Sequence, residues 1–305
     1  DFTTKMFNPN IIKGFQSEVV WAIVVCDVEK TVTVVFRGSV SGADWVSNVQ
    51  CNMVDFMLPG FTSDNVDVAN GTNYGRVHEG FYGYLFDKNS KGSNGSVKSK
   101  GEEIIGMLKA DFFDKEEYQD YSLNVTGHSL GGALSTMFAF RAATENDEGG
   151  GKYFRSVTNV SFASPFVGDQ VFRNRFYDLE RNRRIRHLRI SNNEDPVPLI
   201  PACTLPLPSF SFYKHVGVNI RLYKEGDFLA PSYRRFYPKM GSVADEVRNG
   251  FHSNLLLGLS VSPIENHLCP EYDKRLQNKK LIEELSNLYL DEMYGNKDIT
   301  GWDFA

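Results

Sequence analysis

Six residues, Gly127-His128-Ser129-Leu130-Gly131-Gly132, constrain this chain more than any other stretch. They follow an apolar run, Tyr121 to Thr126, and lead into Ala133 to Phe140, a good helix former. A G-x-S-x-G pattern between a strand and a helix is the context of a nucleophile elbow, in which a strained turn exposes the serine hydroxyl. Glycine is needed two places before and two after the serine, because a Cβ there would meet the neighbouring strand or helix. The helix that follows aims free N–H groups and the positive end of its dipole at any oxyanion formed beside the serine. A glycine-rich turn around a buried serine would share the six residues but has no need of the flanking pattern.

Around this elbow, strands alternate with helical stretches. Strands are expected at Val19 to Val28 and Thr31 to Phe36, joined at Glu29-Lys30, then at Val157 to Ala163 and Ile185 to Ser191. Helices are expected from Tyr82, over Glu102 to Phe113, after the elbow, and over Asp169 to Tyr177. Such alternation implies an α/β fold with a mostly parallel central sheet covered by helices on both faces. The 305 residues suit one large domain, and 41% hydrophobic residues can fill its core. No repeat or separating linker divides the chain. Polar, Gly- and Ser-rich stretches at Lys88 to Gly101 and Glu145 to Lys152 read as surface loops. Leu281, Ile282, Leu285, Leu288 and Leu290 predict an amphipathic helix over about 275–294, packed on the domain surface.

A net charge of −5 gives no global attraction to nucleic acid. The basic run Arg181 to Arg189 reads as a solvated helix end leading into a strand. No stretch approaches the length of apolar chain needed to span a membrane. The chain opens on Asp1 rather than Met, which points to processing or trimming and leaves room for a removed signal peptide. Four cysteines, Cys26, Cys51, Cys203 and Cys269, show no metal spacing and allow two disulfides in any of three pairings. Sequons at Asn70 and Asn94 lean towards secretion, whereas those at Asn124 and Asn159 fall in expected buried strands.

A serine needs a base to take its proton and a third group to orient that base. In α/β-hydrolase-like chains the partners follow in the order serine, acid, histidine. Asp195, just beyond an expected strand and held extended by Pro196, fits the acid. Glu194 is the near competitor, and Asp169, in an expected helix and read as exposed, the distant one. His78, His128 and His187 precede the acid, and His215 reads as a hydrogen-bonded core residue. His252 and His267 remain, and pattern alone does not separate them.

These residues resemble the class 3, or fungal-type, triacylglycerol lipases of the α/β-hydrolase superfamily. The resemblance runs from about Val19 to Tyr272. Phe36-Arg-Gly-Ser39 is similar to that family's oxyanion segment, and Asp44-Trp45 with Asn48 resembles its lid. Val77-His-Glu-Gly-Phe81, the elbow, Phe162-Ala-Ser-Pro-Phe-Val-Gly168 and Asn192-x-x-Asp-x-Val-Pro198 resemble further family motifs, with Phe166 where arginine is frequent. His215 falls where the family has a structural histidine. The family's catalytic histidine is often followed five residues later by tyrosine, which selects His267 with Tyr272 over His252.

The resemblance implies ester hydrolysis by Ser129, Asp195 and His267, with the Leu130 N–H and Ser39 as oxyanion donors. It also implies a short lid over about 40–50, where Trp45, Val46 and Val49 would meet substrate. Met53, Phe56, Met57, Leu58 and Phe61 would either line an acyl groove or fill the core. No metal or organic cofactor is implied. The expected partner is a lipid or other ester at a lipid–water interface. Phospholipase A1, galactolipase and feruloyl esterase chemistry on the same frame, a peptidase, or a lipid- or partner-binding protein without catalysis are the rival readings.

Overall fold

The computed structural model describes residues 2–7, 20–38, 52–58, 72–86, 99–148, 153–154, 156–201, 211–224, 233–236 and 264–286. Ten strands are described: β1 (Phe2–Phe7), β2 (Trp21–Cys26), β3 (Thr31–Phe36), β4 (Met53–Leu58), β5 (Thr72–His78), β6 (Ser122–His128), β7 (Val157–Phe162), β8 (Ile185–Asn192), β9 (Val218–Leu222) and β10 (Tyr233–Phe236). Eight form one sheet in the order β1-β2-β3-β6-β7-β8-β9-β10. The five strands β3, β6, β7, β8 and β9 are parallel, and antiparallel strands extend the sheet at both ends. This is the expected mostly parallel sheet. Helices flank it: α1 (Glu79–Phe86), α2 (Lys100–Met107), α3 (Leu130–Glu148), α4 (Gln170–Arg181), α5 (Cys269–Leu276) and α6 (Lys279–Ser286).

Local sequence explains the elements that were legible. β2 and β3 alternate buried and half-buried residues, as a strand of period two must. The turn between them ends at Lys30 in the left-handed region (φ 51°). The helix α3 is buried on every side from Leu130 to Glu145, because strands β3, β6, β7 and β8 and helices α1 and α4 all pack on it. That is why apolar residues occur on every side of it rather than along one face, with Ser135, Thr136, Arg141 and Glu145 buried among them. Ser99 caps α2 by accepting from the Glu102 N–H, so the helix begins at Lys100, inside the stretch read as a loop. The helix then widens into a π-helical turn over Leu108–Phe113.

Several expectations are corrected. The region read as apolar but irregular contains β4, which pairs with β5 in a separate two-stranded sheet. Phe56 on β4 is fully buried against Phe86, Phe140 and Phe172. It is core, because an aromatic cluster closes around it. Asp169 is buried rather than exposed: its carboxylate caps α4, accepting from the Val171 and Phe172 N–H groups. The basic run is solvated only in part, since Arg186 and Arg189 are buried and donate to backbone carbonyls. Cys26 and Cys269 are free thiols, so a two-disulfide arrangement does not form. Most of 88–101, the expected lid, and most of 224–250 lie outside the described residues.

Candidate active site

Ser129 sits alone between the end of β6 and the start of α3, in the left-handed region at φ 59°. That strain is tolerated because the surroundings over-determine it. Its N–H donates to Phe162 O at 2.9 Å and its carbonyl accepts from the Gly132 N–H at 2.9 Å. The two glycines of the elbow are close-approach positions. A Cβ on Gly127 would stand 2.2 Å from Gly131 O, and one on Gly131 would stand 2.2 Å from Phe36 O. A Cβ on Gly38 would lie 2.7 Å from His128 O and 3.4 Å from the Ser129 Cβ, so the chain beyond β3 runs against the elbow.

The three residues selected from the sequence meet. The Ser129 hydroxyl donates to His267 Nε2 at 2.9 Å, and His267 Nδ1–H donates to Asp195 Oδ2 at 3.1 Å and Oδ1 at 3.2 Å. All three are buried. A carboxylate facing Nδ1 holds the proton there and leaves the Nε2 lone pair for the serine. Asp195 follows β8 by a tight turn and accepts from the Val197 N–H at 2.9 Å, a bond that orients the carboxylate from its own loop. Glu194, its competitor, points to Lys224 at 3.2 Å and to the Asn266 side chain. His267 ends a short 3-10 turn, Ile264–His267, immediately before α5. His252, Ser39, Trp45, Val46 and Val49 lie outside the described residues. Leu130 is the first residue of α3, where a backbone N–H has no acceptor within its helix.

Two supporting residues show their roles only in three dimensions. The Tyr272 hydroxyl donates to Asp195 Oδ2 at 2.7 Å and accepts from the Asn192 N–H at 2.9 Å. Burial and the Asp195 charge push its pKa well above the ordinary tyrosine value, so it stays a donor. His128, set aside as a base, donates from Nε2 to His267 O at 2.8 Å, and its ring lies 4.8 Å from the His267 ring. Burial, with the neighbouring His267 charge, lowers the His128 pKa to about 4. A neutral His128 does not oppose a positive charge developing on His267. The sequence offered no signal for either bond beyond the tyrosine spacing.

The other three described histidines are structural. His215 bonds Pro198 O at 2.7 Å and stacks on Phe166 at 3.8 Å. His187 bonds the Ser161 hydroxyl at 3.1 Å in the core, and His78 stacks on Phe81 at 4.0 Å. Among the described residues no group of His, Cys, Asp and Glu could hold a metal ion, and no helix is long and apolar enough to cross a membrane.

A parallel sheet with an elbow after one strand, an acid after the next but one and a histidine in a later turn defines an α/β-hydrolase fold. A fungal lipase crystal structure shares that fold, with a TM-score of 0.53 at 20% identity over 78% of this chain and 71% of that one. The chain belongs to the lipase (class 3) family, whose family model matches residues 33–205. The matched span includes Ser129 and Asp195 and stops short of His267. The chain is 28% identical over 210 residues to galactolipase DONGLE, chloroplastic, of Arabidopsis thaliana, covering 63% of this chain and 41% of that protein. It is 33% identical over 173 residues to phospholipase A1-II 4 of Oryza sativa subsp. japonica, covering 56% of this chain and 40% of that protein. The chain thus matches about two fifths of the length of these curated relatives.

Proposed function

We propose that this chain is a serine hydrolase that cleaves carboxylic esters of acylglycerol-type lipids. The observation that carries the reading is the continuous bond line from Ser129 Oγ through His267 to Asp195. Ser129 Oγ attacks the ester carbonyl carbon while His267 Nε2 takes the hydroxyl proton. Asp195 holds the imidazole tautomer and stabilises the cation that forms. The tetrahedral intermediate collapses as the C–O bond to the alcohol breaks, and His267 returns the proton to that alcohol. Water then repeats both steps on the acyl-enzyme and releases the fatty acid. The Leu130 N–H and Ser39 serve as oxyanion donors, each worth about 10²–10³ in turnover. What supports Ser39 is the neighbouring Gly38, whose backbone runs against the elbow.

The reading extends to one domain over 1–305, with a lid at about 40–50 that turns Trp45, Val46 and Val49 towards a lipid surface. A lid moves only if the surface contacts its two states differently, which an apolar interface does. The names of the two plant relatives favour a second reading on the same site, in which the acylglycerol carries a galactosyl or phosphoryl head group. The sequons at Asn70 and Asn94 support a secretory route.

The test compares wild type with Ser129→Ala on short p-nitrophenyl esters, emulsified triacylglycerol, phosphatidylcholine and a galactolipid. Hydrolysis by the wild type with loss of at least ~10⁴-fold in the variant is expected, from the cost of removing a serine nucleophile. Equal activity in the two proteins would remove Ser129 from the mechanism. The preferred head group decides between the two substrate readings.

A further inference from the structure

The turn carrying His267 is tied to the sheet by side chains. Asn192 Nδ2 donates to Asn266 O at 2.9 Å, and His128 Nε2 donates to His267 O at 2.8 Å. The third tie comes from Arg275, near the end of α5. Its guanidinium is buried, and Nη2 donates to Asn266 Oδ1 at 2.9 Å. Nη1 donates to Asn193 O at 3.2 Å and Leu222 O at 3.1 Å, and Nε donates to Glu271 Oε1 at 2.9 Å. One rigid fork therefore reaches the residue before the base, the loop two residues before the acid, and the end of β9. Leu222 O also accepts the Asn193 N–H at 2.7 Å, so the acid loop and β9 share that junction.

We infer that Arg275 is a positioning residue that holds the His267 turn and the Asp195 loop in register, an inference that rests on the catalytic reading above. The chemistry requires an arginine. Asn193 O, Leu222 O and Asn266 Oδ1 lie around a planar group with five donors in fixed directions, and a lysine ammonium is a single point that cannot reach all three. The Glu271 carboxylate one turn back offsets the charge, so the fork can be buried. Neither Asn266 nor Arg275 touches the Ser129 hydroxyl. Their effect passes through the Asp195–His267 distance, and reacting groups displaced by about 1 Å can cost ~10²-fold in rate.

The test is Arg275→Lys in the full chain, with proton NMR of the far-downfield Nδ1–H of His267 and kinetics on a soluble p-nitrophenyl ester. The wild type is expected to show that resonance. In Arg275→Lys it should broaden or move upfield, and kcat should fall ~10- to 100-fold with KM changed less than about threefold. Asn266→Ala, which removes one acceptor of the fork, is read in the same way if the lysine variant does not fold. A resonance at its wild-type position in the folded variant overturns the proposal, whether kcat is retained or falls only in step with Tm. A wild type that lacks the resonance overturns it as well, since there is then no held pair to position. The resonance reads the pair without any turnover. A wild type that hydrolyses no ester therefore defeats the catalytic reading, while the spectrum still decides the role of Arg275.

Discussion

Asp195 accepts from three donors: His267 Nδ1, the Val197 N–H and the Tyr272 hydroxyl. A buried carboxylate satisfied in this way is held in one orientation, and its own charge and the bond from Tyr272 contribute differently. Asp195→Asn keeps the shape but presents the wrong tautomer to Ser129, and kcat is expected to fall ~10⁴-fold with the fold intact. Tyr272→Phe leaves Asp195 Oδ2 and the Asn192 N–H each short of a partner. Unfolding experiments on that variant should show a loss of about 1–3 kcal/mol, and its kcat should fall less than that of Asp195→Asn. The reverse order of the two kcat values would mean that Tyr272 touches the reacting atoms. The Ser-Asp-His order was readable in the sequence because the elbow has a local signature and chain order filters its partners. The bond from Tyr272 was not, because a residue after His267 meets a residue of β8 only when the chain closes on itself.

At the scale of elements, Asp169 joins helix to strand. Its Oδ1 caps α4, and its Oδ2 pairs with Arg76 on β5 at 3.4 Å. Gly75 lets the two elements meet, since a Cβ there would lie 2.3 Å from Phe172 N, and its φ of +101° suits glycine alone. The Arg76 side chain is partly exposed, at 39%, so screening makes the ion pair the smaller contribution. Asp169→Ala is therefore expected to cost about 1–2 kcal/mol, and Asp169→Asn, which can still cap, under about 0.5 kcal/mol. Denaturant midpoints at constant slope measure both, and equal losses would assign the stability to the charge. The strands β4 and β5 escaped the sequence reading for a related reason. They form their own small sheet, and β4 carries Phe56 into a core cluster that other elements supply.

Across the whole molecule, three of the described histidines, His128, His187 and His215, sit where burial disfavours their charged form. Burial lowers His128 to about 4 and holds His187 and His215 well below their ordinary value. For the last two, the nearby Arg189 charge acts in the same direction. Glu145, despite burial that pushes its pKa up, is held lower by Arg141 and Lys109. In each case the unfolded chain binds protons at a pH where the folded chain does not. Stability is then full above about 6.5 and falls as pH drops towards 4. The His128 shift alone corresponds to at most about 3 kcal/mol. Chemical denaturation at pH 7.5, 5.5 and 4.5 should show a monotonic fall, and a flat profile would contradict the buried neutral state.

The sequence by itself determined the fold class, the elbow and the candidate acid that follows β8. Strand alternation, glycines that backbone contact forbids to carry a Cβ, and a proline-locked aspartate are all local or ordered along the chain. Choosing His267 over His252 already needed the resemblance to a family. Tertiary structure alone decided how His267 is held: by His128 from the elbow, Asn192 from β8 and Arg275 from α5. The physical reason is that these bonds join residues 74 or more positions apart or cross between elements, and their donors become partners only after the sheet has fixed where each element ends. Local pattern can specify which side chains are present, while the distance between a base and its acid is a property of the packed molecule.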